Sequence, residues 1–500
     1  MKPARHPLTI LLSLGLTFVG CVFEDEGVTR VTISGSAVGA EADILRRQLE
    51  AFQEEHPDVR VEIRPTPDAA DQRHQLYVQW LVARSPDPDI LQLDVIWTAE
   101  FAAAGWILPL SSFDPPTDAF FDATIRANLW QDALYAVPWF VDVGMLYWRS
   151  DLLDSPPSSY GALLETARTR SERIPHGFVW QGARYEGLVV TFLEHLRAFG
   201  GRVLEPDGRV RVDSEEAVRA LTFMRDAIYA HGAVPEAALT WQEEQTRLDF
   251  QSGRALFMRN WPYAYPLMQD SSASEVAGRF DVAPLPAGPG AEGASALGGA
   301  QLAVNAHSDE PAAAWRVVAF LTGPEQMLER ARGAGQYPAR RDLYDRPELA
   351  DALPVDPERA RSIIEAAVPR PVTPVYTQLS SILQIALHRV LTRQREPAPA
   401  LREAADEMRA LLERVELRPG ASAERSDDAV PRASESDAAR ADAPAAIADP
   451  PAATTDAPAA TTDPPAATTD APAPTTDPPA PTAPVSPSPA APGGGGRMGV

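Results

Sequence analysis

Residues 134–149 read Leu-Tyr-Ala-Val-Pro-Trp-Phe-Val-Asp-Val-Gly-Met-Leu-Tyr-Trp-Arg, an apolar and aromatic run broken by one charge, Asp142, with Gly144 two positions on. Such a run predicts a buried strand. A carboxylate buried in it without partners is costly, so Asp142 needs either a cation or a wet cleft beside it. The glycine permits a bend or a close backbone approach at the same place. The combination suits a strand that crosses between two domains, and it equally suits a core strand whose acid is matched by a neighbouring arginine. A chain of 500 residues has room for about two to four domains, so the first reading is open on length.

The two ends are of different material. A basic start (Lys2, Arg5, His6), an apolar run over 8–19 and Phe18-Val-Gly-Cys predict a secretory signal over 1–20, too short to span a bilayer comfortably. Cys21, the chain's only cysteine, sits where bacterial lipoprotein signals are cleaved and acylated, and the segment resembles a lipobox. Residues 21–28 then read as a lipidated tether, and with Cys21 acylated no thiol is left for a disulfide. From residue 419 onward aromatics vanish, and Asp449, Asp456, Asp463, Asp470 and Asp477 recur every seven residues. Each unit carries proline and no apolar seam, which predicts a disordered, polyproline-like acidic tail over 419–500 instead of a coiled coil. The formal net charge of −24 leaves no basic footprint for nucleic acid.

The middle alternates strand and helix patterns. Strands are expected at 30–34, 59–63 and 90–96, separated by one helix that carries Ile44, Leu45, Leu49 and Phe52 on one face and a second over 70–82. This β-α-β-α-β order implies right-handed crossovers and a mainly parallel sheet, whose ligands sit beyond the carboxyl ends of the strands. Glu41, Arg73 and Asp94 fall where that rim should be, although each reads equally well as a surface charge. Further strands are expected at 255–258, 280–286 and 296–305, the last entered through a glycine pair. Trp261, just before Pro262 at a helix start, would stand on a cleft wall.

Catalytic signatures are missing. No two histidines show His-x3-His spacing, and there is no Gly-x-Ser-x-Gly elbow, phosphate loop or Gly-x-Gly-x-x-Gly fingerprint, so neither a metal nor a cofactor is expected. A pair such as Glu41 and Asp142 could serve glycoside hydrolysis, which keeps a secreted glycan-processing enzyme as the alternative reading. What remains is carboxylates, a few arginines and Trp/Tyr faces. Sugars want that mix: charged groups bond hydroxyls at about 1.5–3 kcal/mol each, and aromatic faces cover the C–H side of the ring.

Several motifs occur in one order: Ser85-Pro-Asp-Pro-Asp-Ile with Leu93-Asp-Val, Ala136-Val-Pro, Asp142, Leu146-Tyr, Gly177-Phe-Val-Trp-Gln-Gly and Tyr185-Glu-Gly. Arg259-Asn-Trp-Pro-Tyr-Ala, Leu297-Gly-Gly, Ala367-Val-Pro-Arg-Pro and Gln378-Leu-Ser follow. Over about 31–417 the chain thereby resembles the extracellular solute-binding proteins (family 1) of ABC sugar importers, most nearly the trehalose/maltose-binding lipoproteins. The resemblance implies an α/β, two-lobed periplasmic-binding-protein fold of type II. Each lobe would be a mainly parallel sheet flanked by helices, the two joined by crossing hinge strands, with no enzymatic activity. It puts 29–141 plus 296–325 in the N-lobe and 142–295 plus 326–418 in the C-lobe, with crossings at Asp142, near Gly298 and near 323–335. The family's sugar-binding acids map to Glu41, Asp94 and Asp142, its arginines to Arg73 and Arg340, its stacking aromatics to Trp261 and Tyr263, and its backbone contacts to Gly298 and Gly299. The implied partners are a disaccharide or short oligosaccharide, the transmembrane subunits of an ABC permease and, through lipid, a bacterial membrane that holds a monomer outside the cytoplasm. A sugar sensor using the same cleft is a further alternative. Two positions depart from the trehalose-binding pattern: Ala300 follows the Gly-Gly pair where a tryptophan is expected, and Phe140 replaces a tyrosine.

Overall fold

The computed structural model describes residues 27–35, 40–205, 207–289, 295–353 and 355–415. The signal over 1–20, Cys21 and the tail over 419–500 lie outside them, as does most of the tether over 21–28. Twelve strands are found among the described residues: β1 (Thr29–Gly35), β2 (Val59–Pro65), β3 (Ile90–Asp94), β4 (Leu129–Trp130), β5 (Ala133–Leu134), β6 (Val137–Val143), β7 (Met145–Trp148), β8 (His176–Val179), β9 (Ala255–Asn260), β10 (Asp281–Pro284), β11 (Leu297–Val304) and β12 (Tyr337–Pro338). They form a six-stranded sheet of order β12-β6-β11-β3-β1-β2, a four-stranded sheet of order β10-β7-β9-β8, and the hairpin β4-β5.

The expected opening unit forms: β1 pairs in parallel with β2 and β3, and the intervening helix Glu41–Glu55 buries Ile44, Leu45, Leu49 and Phe52. The sheets are nevertheless mixed, not mainly parallel. β11 runs antiparallel to both β3 and β6, β7 runs antiparallel to β9 and β10, and only β8–β9 is parallel in the smaller sheet. The cause is the chain path. One strand leaves the larger sheet for the smaller and another brings the chain back, and the two lie side by side in opposite directions.

The run 134–149 does divide between two sheets. β6 belongs to the larger and β7 to the smaller, with Gly144 as the single residue between them. A side chain at this step would displace the buried Glu194–Arg259 pair, since a Cβ would sit 2.0 Å from Glu194 Oε1. The return passes through Ser295–Ala296 into β11, near Gly298 as expected. A third passage follows helix Pro357–Ala366, where Val368 N donates to Ser295 O and Leu297 N to Val368 O, both at 2.9 Å.

The third passage is not at 323–335. Gly323 is the N-cap and Gly335 the left-handed C-cap (φ +66°) of a helix, Pro324–Ala334, which packs on Glu41–Glu55. These glycines end a helix; they do not bend an interlobe strand. Because β12 then pairs with β6, the chain from 326 to the end of helix Pro357–Ala366 stays with the larger sheet. Only the helices Tyr376–Leu391 and Pro397–Val415 return to the smaller lobe, where they pack on Glu186–Ala198 and Glu215–Tyr229.

Candidate functional site

Register brings the candidate residues to one place. Asp142 on β6 stands opposite Gly298 on β11, Ala300 stands opposite Phe140, and on its other side Ala300 stands opposite Asp94 at the end of β3. Gly299 between them has φ +114°, and a Cβ there would lie 2.2 Å from Phe140 O, so only glycine fits this bulged strand. Across the gap, β9 ends at Asn260 opposite Met145, which delivers Trp261 next to the Gly144 step. Tyr147 fixes the turn by donating its hydroxyl to Trp261 O at 2.7 Å. The result is a cleft of about 1110 Å³, its open mouth included, lined by residues of both lobes.

Eight of the nine expected positions line this cleft: Glu41, Arg73, Asp94, Asp142, Trp261, Tyr263, Gly298 and Gly299. Arg340 does not. It sits two residues beyond β12, pairs with Asp342 at 2.8 Å and lies over the Phe120 ring. The arginine that this part of the chain sends to the cleft is Arg370, from the third passage.

The floor is acidic and incompletely partnered. Glu41 accepts from Gln336 Nε2 at 2.7 Å through Oε1, while among the described residues its Oε2 has no partner, and Asp142 Oδ1 likewise has none. Burial, reinforced by repulsion from Glu41 and Asp94, pushes the Asp142 carboxyl up to about 8 against the pull of Arg259 and Arg330. Arg330 is fully buried behind this floor, donating to Gln336 Oε1 at 2.8 Å and stacking 3.8 Å from the Trp139 ring centroid. Burial lowers its guanidinium to about 10, with Glu41 and Asp142 opposing the fall. Arg73 on the rim donates to the carbonyls of Pro67 and Asp68 at 3.1 Å and leaves Nε unpaired.

The opposite wall is aromatic. Trp261 has the Arg259 guanidinium 3.8 Å behind its ring, and Arg259 is in turn held by Glu194 through two bonds of 2.6 and 2.8 Å. Trp261 Nε1 reaches Glu243 Oε1 at 3.5 Å, and Tyr263 donates to Glu244 Oε1 at 2.7 Å. These two acids open helix Glu243–Gln251, where the positive end of the helix dipole suits them.

Arg370 ties the walls together by donating to Asp94 Oδ1 at 2.7 Å and to Glu186 Oε1 at 2.8 Å. Burial works against its charge, but Asp94 and Glu186 outweigh this and hold the guanidinium above its ordinary value. Tyr376 and Ser380 also donate to Glu186. Gln336, Glu186, Glu243, Glu244 and Arg370 were not singled out from the sequence. Arg370 and Glu186 lay inside the quoted motifs Ala367-Val-Pro-Arg-Pro and Tyr185-Glu-Gly, but nothing in those strings says that they meet. Among the described residues no group of His, Cys, Asp and Glu could hold a metal ion, and no helix is long and apolar enough to cross a membrane.

Comparison with known proteins adds an independent line. Residues 38–328 match the family model for bacterial extracellular solute-binding proteins. A probable ABC transporter-binding protein of Deinococcus radiodurans is 34% identical over 406 residues, which is 78% of this chain and 95% of that protein. The maltose-bound MalE3 structure of T. maritima is 43% identical, with a TM-score of 0.74 over 77% of this chain and 100% of that one. An arabinooligosaccharide-binding protein of Halalkalibacterium halodurans is 23% identical over 342 residues, 64% of this chain and 74% of that protein.

Proposed function

Because the chain belongs to the bacterial extracellular solute-binding proteins, we propose that it is the lipid-anchored receptor of an ABC importer that captures a maltose-type disaccharide or short oligosaccharide in the interlobe cleft. It works outside the cytoplasm and binds its ligand without chemistry upon it, so the glycan-processing alternative is set aside with the family. The observation that carries the ligand class is the pairing of unsatisfied carboxyl oxygens on Asp142 and Glu41 with the Trp261 face across from them. Sugar hydroxyls donate to the former and the C–H face of a pyranose packs on the latter.

In this reading Glu41, Arg73, Asp94 and Asp142 bind hydroxyls, Trp261 and Tyr263 wall the ring, and the backbone at Gly298 and Gly299 completes the floor, with Arg370 in the place expected for Arg340. Ala300 and Phe140 line the same floor, adjacent in register, with no indole and no phenolic hydroxyl. The missing ring leaves room beside the floor, which suits a ligand longer than a disaccharide as well as a disaccharide. The maltose-bound relative at 43% identity supports a maltose-type ligand. A ligand held by both lobes stabilises their approach, and the permease subunits read that state. Acylated Cys21 would hold the receptor at the membrane as a monomer.

Titration calorimetry of the chain from residue 22 onward against maltose, maltotriose, trehalose, sucrose, palatinose and mannitol tests this. A dissociation constant of about 1 μM or tighter for maltose or maltotriose, worth about 8 kcal/mol, is expected. Silence for all six compounds overturns the ligand assignment. Loss of membrane retention in a Cys21→Ser protein checks the anchor.

A further inference from the structure

Arg259 and Glu194 form an ion pair in which each side chain is 1% exposed, beneath the aromatic wall and beside the chain crossings. Buried pairs of this kind are no more stabilising than apolar residues of the same volume, so stability alone gives no reason for charges here. Their neighbours supply one. The Arg259 guanidinium carbon lies over the Trp261 ring at 3.8 Å from its centroid, and the side chain is held from a third side by Gln181 Oε1 at 3.1 Å. Glu194 Oε1, which takes the Arg259 Nη2 bond at 2.6 Å, also accepts from the Ala296 backbone N–H of the second crossing at 3.3 Å. The same oxygen lies 2.0 Å from where a Cβ at Gly144 would be, and Arg259 Nη2 lies 2.9 Å from that point. Ser295 Oγ closes the circuit by donating to Gly144 O at 2.6 Å.

We propose that the Arg259–Glu194 pair is a positioning unit that couples the Trp261 face in the cleft to the two chain crossings at Gly144 and Ser295–Ala296. This deepens the sugar-receptor reading and rests on it for the identity of what stacks on Trp261. Any rotation of one lobe against the other must turn the backbone at these crossings. The Ala296 N–H then pulls on Glu194 Oε1, whose bidentate grip turns the guanidinium, and the ring stacked on that plane tilts with it. In the other direction, a sugar that seats the indole flat holds Arg259, and through Glu194 it holds the crossings in the arrangement in which the lobes meet. Two rigid planar contacts in series transmit orientation, which a single-point ammonium does not.

The coupling is read without ligand by fluorine NMR of the 5-fluorotryptophan-labelled full chain, the Trp261 signal being assigned by its loss in Trp261→Phe. Gly144→Ala, whose added Cβ meets Glu194 and Arg259 Nη2, is expected to shift that signal. In a background carrying Arg259→Met and Glu194→Leu together, the same substitution is expected to leave it in place. A shift that persists in that background overturns the proposal, and so does an unmoved signal in the native one. Should Gly144→Ala fail to fold, Arg259→Lys serves instead, because it keeps the charge and loses the plane. With maltose as probe, amide exchange over 295–298 is expected to slow by about tenfold in the native protein and by less than about threefold in Arg259→Lys. Equal protection in both overturns the proposal. A native protein that ignores maltose but passes the ligand-free cycle refutes the sugar assignment and leaves the coupling standing.

Discussion

Asp142 is the residue at which position and chemistry meet. Its carboxyl keeps its proton to about pH 8 in the folded protein, against 3.8 for the ordinary group, so the folded state binds more protons throughout that window. Stability therefore falls as pH rises from about 4 to about 8, by up to about 1.4 kcal/mol per unit. Asp142→Asn is expected to remove this fall: thermal melts of mutant and native protein should differ least near pH 4 and most in the mutant's favour near pH 8. The same substitution is expected to weaken maltose binding by about tenfold or more, about 1.4 kcal/mol by calorimetry. Trp261→Ala should weaken binding by a similar factor while leaving the fold intact, because the indole is only partly buried. Gly299→Ala behaves differently. With φ +114° and Phe140 O at 2.2 Å, a side chain there is expected to cost at least about 2 kcal/mol in urea unfolding, before any ligand is added.

Among the elements, the segment between helices Pro357–Ala366 and Tyr376–Leu391 does the most with the fewest residues. Val368 pairs with the second crossing, and Arg370 carries the ion pairs to Asp94 and Glu186. A second bond across the lobes runs alongside, from Thr377 Oγ1 to Glu100 Oε2 at 2.7 Å. Replacing Arg370 by Met leaves two acids near each other without their cation. The expected loss is about 3–5 kcal/mol in chemical denaturation, with a larger radius of gyration in maltose-saturated solution scattering than the native protein shows. Arg340→Met, by contrast, removes an ion pair to Asp342 outside the cleft and is expected to leave maltose affinity unchanged.

For the whole molecule, every described element that lines the cleft lies between Glu41 and Arg370, and the helix Pro397–Val415 completes the smaller lobe's packing. Removing 420–500 is therefore expected to change neither the melting temperature nor the maltose affinity, as scanning calorimetry and titration will show. The three passages between lobes form one compact strip, through Gly144, Ser295–Ala296 and Val368.

A crossing at 134–149 was legible in the sequence as one of two open readings, because its signals are local, and the family resemblance implied the two lobes. The 134–149 run announces a buried strand with a pivot, and the spacing of Ile44, Leu45, Leu49 and Phe52 announces a helix face. Glu41, Arg73, Asp94 and Trp261 could be placed at a rim because each sits at a strand end or helix start, and Asp142 was marked by its lone charge in an apolar run, whereas Tyr263, Gly298 and Gly299 came from the family resemblance alone. What stayed hidden depends on pairing at long range. The direction of β11 between β3 and β6, the return of β12 to β6, and the choice of Arg370 over Arg340 are decided by which strands find each other across more than a hundred residues, and periodicity carries no record of that. The glycines at 323 and 335 show the same limit: in sequence a helix cap and a hinge look alike, and only packing against helix Glu41–Glu55 makes them caps. Sequence by itself determined which segments must be buried. Tertiary structure decided which charges meet, because burial is a property of one segment while an ion pair such as Arg370–Asp94 belongs to two.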